Sequence, residues 1–233
     1  MAWIEHDHAS PEALAEALAD ELHARCRDAI DTRGRALLAL AGGRTPLPAY
    51  RAFAAKRLDW SCVVMFPTDE RCVPHDHPAC NVTELRHAFD GARGEIIESL
   101  TTEDGDCARS EMHARRRLAV YPELFDAVVL GMGLDAHTAS LFPGAPQLRE
   151  AMDLDNALPA TRVDPHPLPP EAPFPRISLT LSHLLHSRRL ILAITGEGKR
   201  EVLRKARAST RVSSFPVAAL GQGETDVHVH WSP

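Results

Sequence analysis

The sequence predicts an α/β protein, Rossmann-like, with a mostly parallel sheet and helices on both faces. Three observations carry that prediction. Short, almost wholly apolar runs recur at residues 36–41, 62–66, 126–130 and 190–194, each too short for a helix and without the alternation of a half-exposed strand. Helix-like segments separate most of these runs, and strands alternating with helices build parallel sheets. The runs also stop abruptly, at Gly42-Gly43, Pro67, Gly131 and Gly196. Ligands of open parallel sheets bind at the carboxyl ends of the strands, so these stops are where chemistry is expected.

The elements are taken in chain order. Ser10 can cap a first helix, with Pro11 suited to its first position and Glu12 to its positive end. Leu14, Leu18, Leu22, Cys26 and Ile30 give that helix one buried stripe. Residues 177–181 alternate and read as a further strand leading into a helix from Ser182; residues 226–231 alternate too and read as a late edge strand. Seven prolines between Pro159 and Pro175 break the pattern. The chain beyond them is too short for a second α/β domain, so residues 1–233 are expected to form one domain with an ordered loop at about 159–175.

Composition excludes several classes of function. Net charge is -6, unlike a general nucleic-acid binder, yet a local cluster of cations and N–H groups can hold an anion on an acidic protein. No stretch approaches the roughly 20 apolar residues that span a bilayer, and the N-terminus lacks an apolar signal core, so a cytoplasmic protein is expected. The odd count of five cysteines predicts reduced thiols, and without a CxxC pair a structural zinc site lacks its usual signature.

Five clusters sit at element boundaries. Gly42-Gly43-Arg44-Thr45-Pro46 follows a strand and precedes a helix: its glycines allow close approach and its free N–H groups suit phosphate, but a plain helix-capping turn fits equally. Asp69-Glu70-Arg71, with Val73-Pro74 and Asn81 beyond, packs polar groups directly after a buried strand. The planar fork of Arg71 suits a phosphate or carboxylate, against an ion pair with Asp69 or Glu70. His75 and His77 match no common metal frame and are expected to face solvent. In the third cluster, residues 131–144, Gly131, Gly133 and Ala136 fit a GxGxxA dinucleotide loop, but no buried strand leads to an acidic residue about 20 positions on, so a nicotinamide cofactor is the weaker reading. The other reading takes His137 as an acid–base group with Asp135 orienting it, against a packing or capping histidine among the 13 present. Arg176 and Lys199, in the last two clusters, can each reach an anion, although such residues singly are more often solvated charges.

Together, in order, these motifs resemble the 6-phosphogluconolactonase family. Residues 42–46 look like its Gly-Gly-x-Thr-Pro phosphate loop, and residues 131–143 are close to its signature Gly-x-Gly-x-Asp-Gly-His-Thr-Ala-Ser-Leu-Phe-Pro. Asp69-Glu70-Arg71 with Val73-Pro74 and Asn81 looks like its second motif, and Arg176-Ile177-Ser178 and residues 196–199 resemble its later ones. The resemblance implies hydrolysis of 6-phospho-D-glucono-1,5-lactone in the pentose phosphate pathway. His137 would be the general base and Asp135 its support; Gly42, Gly43, Arg44, Thr45, Asp69, Arg71, Asn81, Arg176 and Lys199 would hold the substrate. No cofactor or metal is expected, nor any nucleic-acid or membrane partner, and the protein is expected as a monomer or small homo-oligomer. Glucosamine-6-phosphate deaminases share the fold, but their usual Ile-Ala-Phe-Asn-Glu run is replaced here by Thr138-Ala139-Ser140-Leu141-Phe142-Pro143. A non-catalytic sugar-phosphate binding module is the remaining alternative, and the presence of both Asp135 and His137 speaks against it. Ala136 departs from the signature glycine; a positive φ there would cost about 1 kcal/mol.

Overall fold

A computed structural model describes residues 2–233. In chain order the elements are β1 (Trp3–Asp7), α1 (Pro11–Arg33), β2 (Ala36–Leu40), α2 (Leu47–Ala54), β3 (Val63–Pro67), β4 (Asp69–Arg71), α3 (Asn81–Ala88), β5 (Ile96–Ile97) and α4 (Cys107–Leu118). They continue with β6 (Ala127–Leu130), α5 (Leu148–Ala151), β7 (Ala160–Val163), β8 (Arg176–Leu179), α6 (Leu181–Leu185), β9 (Leu190–Thr195), α7 (Glu197–Ala208) and β10 (Val227–Ser232).

Seven strands form one parallel sheet in the order β1-β10-β9-β6-β2-β3-β5. Strand periodicity sends alternate side chains to opposite faces. Leu38, Leu40, Met65, Val129 and Ile191 pack under α1, α2 and α3, whereas Leu37, Phe66, Val128, Leu130 and Leu192 pack against α4, α5, α6 and α7. That two-sided burial is why these strands read as continuous apolar runs. A second, three-stranded antiparallel sheet, β4-β8-β7, stands beyond the end of β3.

Helix α1 starts as its sequence dictates: the Ser10 hydroxyl accepts from the Ala13 N–H at 3.2 Å, and Gly34 ends it at φ 80°. Its stripe drifts, because a four-residue step overruns the 3.6-residue turn. Leu14, Leu18, Leu22 and Cys26 are buried, but by the last turn Ala29 has replaced Ile30 in the core.

Four expectations need correction. The strand at the C-terminal end of the chain is interior, because β1 pairs along its outer side. The proline-rich stretch is not all loop: it opens with β7 of the small antiparallel sheet, whose neighbour β8 is the strand expected after it. Cys72 and Cys107 form a disulfide with Cα atoms 5.2 Å apart, leaving Cys26, Cys62 and Cys80 as thiols. Parity of the cysteine count carries no information on which residues meet. Here Gly105 brings the start of α4 so close to Val73 that a Cβ would lie 2.2 Å from its carbonyl carbon. Lastly, His75 is held by Ser99 and Thr101 at 3.1 Å each, and His77 accepts the Ala79 N–H, so neither ring simply faces solvent.

Candidate active site

The carboxyl ends of β9, β6, β2 and β3 are neighbours in the sheet. Strand order reverses between β2 and β6, where one half of the chain builds toward β5 and the other toward β10. Loops diverge at such a point and leave a crevice. The Gly42-Gly43 loop leaves β2 on one side of it, and the segment from Gly131 leaves β6 on the other.

The β6 segment is a tight coil tied by its own backbone. The Ala136 N–H donates to the Gly133 carbonyl at 3.0 Å, the Gly133 N–H to the His137 carbonyl at 3.0 Å, and the Thr138 hydroxyl to the Gly131 carbonyl at 2.9 Å. Closing it forces positive φ at Ala136 (65°) and Ala139 (46°). The strain expected of Ala136 is therefore present, at a residue that is fully buried. Gly133 is sterically required: a Cβ there would lie 2.3 Å from the His137 ring and 2.4 Å from the Asp135 carboxylate.

This coil presents Asp135 and His137 as a pair, with His137 Nδ1 2.6 Å from Asp135 Oδ1 and the His137 backbone N–H 3.2 Å from the same oxygen. A carboxylate only accepts, so Nδ1 carries a proton, and in the neutral ring the lone pair is on Nε2. Burial pushes the Asp135 carboxyl up, but the bond to the His137 ring and its charge outweigh it and hold the group below its ordinary value. The imidazole stacks on Phe142, centroids 4.2 Å apart, which fixes the ring plane.

Around this pair the cations are unbalanced. In the β4–β8 ladder Arg71 lies directly opposite Arg176. Like charges in such a position are unfavourable unless something answers them. Arg71 donates to the Ala79 carbonyl at 2.9 Å and to Asn81 Oδ1; Arg176 donates to the Ala172 carbonyl at 2.8 Å and leaves its other terminal nitrogen buried without a partner. Arg176 is only 3% exposed, and burial, helped by the charge of Arg71 and resisted by Asp69 and Glu70, brings it down to about 10. Lys199, in the first turn of α7, is held below its ordinary value by burial and by nearby Arg44. Among the described residues, no carboxylate lies within ion-pair distance of Arg44, Arg71, Arg176 or Lys199. The Thr45 hydroxyl meets that of Thr195 at 3.3 Å, joining the β2 and β9 loops.

A buried network fixes these elements. Asp69 accepts from the hydroxyls of Thr68 and Ser140, and its carbonyl accepts from Asn81 Nδ2 at 2.7 Å. Gly42 packs so closely on Asn81 that a Cβ would lie 2.3 Å from Oδ1, which explains the glycine. Asp69 and Asn81 thus act as braces. Glu70, taken in the sequence only as a partner for Arg71, is fully buried and accepts the N–H groups of Arg71, Asn81 and Val82 at 2.7, 2.7 and 2.6 Å. Burial pushes its carboxyl up to about 7 against those three donors. Nothing local in the sequence marks Glu70 or Ser140 for these roles, because Ser140 meets Asp69 and Glu70 meets Asn81 and Val82 only through the fold.

The sequence profile of a family described as glucosamine-6-phosphate isomerases/6-phosphogluconolactonase matches residues 9–231. A 6-phosphogluconolactonase of Rhizobium meliloti is 38% identical over 232 residues, 98% of each chain, and one of Pseudomonas putida is 35% identical over 98% of this chain and 92% of its own. The crystal structure of a 6-phosphogluconolactonase from Shewanella baltica superposes with a TM-score of 0.92 at 33% identity, covering 99% of this chain and 98% of the other. A monomeric glucosamine-6-phosphate deaminase shares the fold, with a TM-score of 0.81 at 18% identity. With a mostly parallel sheet, an Asp–His pair at its switch point and relatives matched over nearly their whole length, this chain belongs to the glucosamine-6-phosphate isomerase/6-phosphogluconolactonase family.

Proposed function

We propose that the protein hydrolyses 6-phospho-D-glucono-1,5-lactone to 6-phosphogluconate, a step of the pentose phosphate pathway, with His137 as general base. The observation that carries the mechanism is the Asp135–His137 pair, which leaves Nε2 free to accept a proton at the mouth of the crevice. Water attacks the lactone carbonyl and gives its proton to Nε2. Asp135 steadies the imidazolium through Nδ1. When the tetrahedral intermediate collapses, the ring C–O bond breaks and Nε2–H protonates the departing oxygen. The product is the open-chain acid, and His137 returns to its starting state.

The same reading puts the phosphate between these loops. Gly42, Gly43 and Thr45 would contact it from the loop after β2, Arg44 and its neighbour Lys199 would flank it, and the opposed charges of Arg176 and Arg71 are ones that a dianion would relieve. A cytoplasmic location and a small soluble phosphosugar substrate belong to the same reading; among the described residues no helix is long and apolar enough to cross a membrane.

The experiment is to supply purified protein with the phosphorylated lactone and, separately, with glucosamine 6-phosphate. Accelerated acid release from the lactone without ammonia from the amino sugar is expected. Ammonia release would move the chain to the deaminase side of its family, and binding without turnover of either would make it a sugar-phosphate binding module.

A further inference from the structure

The loop after β2 already holds an anion. The Gly43 N–H donates to a carboxylate oxygen of Glu84 at 3.1 Å. The contact is built in: Gly42 is wedged against Asn81, the first residue of α3, and Glu84 stands in the first turn of that same helix. Loop and carboxylate are therefore carried by one rigid support. Glu84 plays no part in the proposed hydrolysis, and among the described residues no Lys or Arg lies within ion-pair distance of it. The unpaired cations Arg44 and Lys199 lie near the same loop.

We propose that Glu84 is a resident competitor for the place of a phosphate oxygen on the Gly43 N–H, weakening the hold on phosphorylated ligands and so promoting release of a phosphorylated product. The inference rests on the phosphate-loop part of the proposed function. A single N–H serves one strong acceptor well, and a carboxylate beside a dianion repels it. A phosphorylated ligand must therefore displace Glu84 or accept its repulsion. A ligand with a plain hydroxyl in that place meets no such charge.

The test measures inhibition by inorganic phosphate in the wild type, Glu84→Gln and Glu84→Ala, together with KM for the phosphorylated and unphosphorylated lactones. Removing the charge is expected to lower Ki for phosphate about three- to tenfold. KM for the phosphorylated lactone should fall with it, by more than KM for the unphosphorylated one. A brace that merely orders the loop would act oppositely, so Ki unchanged or raised in both variants overturns the proposal. Protection against thermal unfolding by inorganic phosphate gives the same comparison without turnover. If the lactone is not hydrolysed but phosphate protects Glu84→Gln at lower concentration than wild type, the competitor stands and the lactonase reading falls. If the lactone is hydrolysed and phosphate neither inhibits nor protects any form, the competitor falls and the lactonase reading stands.

Discussion

At the amino-terminal end of the parallel sheet Arg33 and Arg188 converge on Asp126, and Arg35 pairs with Glu123; at the carboxyl-terminal end Arg71 and Arg176 face each other with no carboxylate paired to either. Both ends are rich in arginine, and the amino-terminal end even has a cavity of about 390 Å³ lined by Arg33, Arg35, Asp126 and Arg188. Concavity and cationic side chains therefore do not distinguish them. Ion pairing does. Every arginine of the amino-terminal cluster reaches a carboxylate, and Asp126 also accepts the Leu37 N–H at 2.9 Å and ties α1 to β2. The carboxyl-terminal cluster is unfinished, with a buried guanidinium nitrogen lacking a partner and a backbone held at positive φ on non-glycine residues. Stored strain and unpaired charge are what the proposed function assigns to the ligand-binding end.

The largest effect that tests this contrast is on turnover. His137→Gln should lower kcat by roughly a hundredfold or more, with KM far less affected. Near-normal kcat in that variant would remove His137 as the base. Next, the two ends should separate stability from function. Asp126→Asn breaks a buried carboxylate's bonds to two arginines and a backbone N–H, and about 1–3 kcal/mol of stability should go with it. That loss would read as a drop in Tm of several degrees, with KM unchanged. Arg176→Met should do the reverse. KM for the phosphorylated lactone should rise at least tenfold, and Tm should hold or increase, because a buried cation facing another cation is removed. A large fall in Tm would show that Arg176 is a structural residue.

A smaller effect concerns the histidines away from the crevice. His6 on β1, His8 just beyond it, and His228 and His230 on β10 form an array of stacked pairs, with ring nitrogens 3.0 Å apart in the His6–His228 pair and 3.1 Å in the His8–His230 pair, beside Glu21 and Arg189. Burial comes first and the neighbouring cations second in lowering His228 to about 4, and burial also lowers His6 and His8. His6, His8 and His228 therefore resist protonation in the folded chain, and the unfolded chain takes up protons first as pH falls. Their stability contribution is whole above about pH 6.5 and is lost as pH falls toward 4. Thermal melts should show Tm falling across that interval, and His228→Asn should flatten the fall. The smallest change is Ala136→Gly, which relieves the positive φ and should raise stability by up to about 1 kcal/mol, a gain visible as a slightly higher Tm.

The same contrast shows what the sequence could and could not reveal. Strands β2, β3, β6 and β9 were legible because burial on both faces makes them continuous apolar runs, and their stops located the crevice. Strand β1 was not legible: as an edge it carries Glu5, His6 and Asp7 and buries little, and missing it made β10 look like the edge. Asp135 and His137 could be picked out because their spacing is local. The opposition of Arg71 and Arg176 could not, since it depends on the register of two strands about a hundred residues apart in sequence. Arg176 singly reads as a solvated charge and joined the candidate binders through its motif; only the packing of β8 reveals it as buried. Glu84 passed unnoticed for the same reason: its partner, Gly43, is 41 residues away.

The central claim is that the unanswered cations at the carboxyl-terminal end exist to hold the phosphate of a lactone that His137 helps to open. The most direct measurement is kcat/KM of the wild-type protein for 6-phospho-D-glucono-1,5-lactone against the same lactone without its phosphate. A preference of about a hundredfold or more for the phosphorylated form is expected, equivalent to about 2.7 kcal/mol of binding to the phosphate. Equal values for the two lactones would contradict the account.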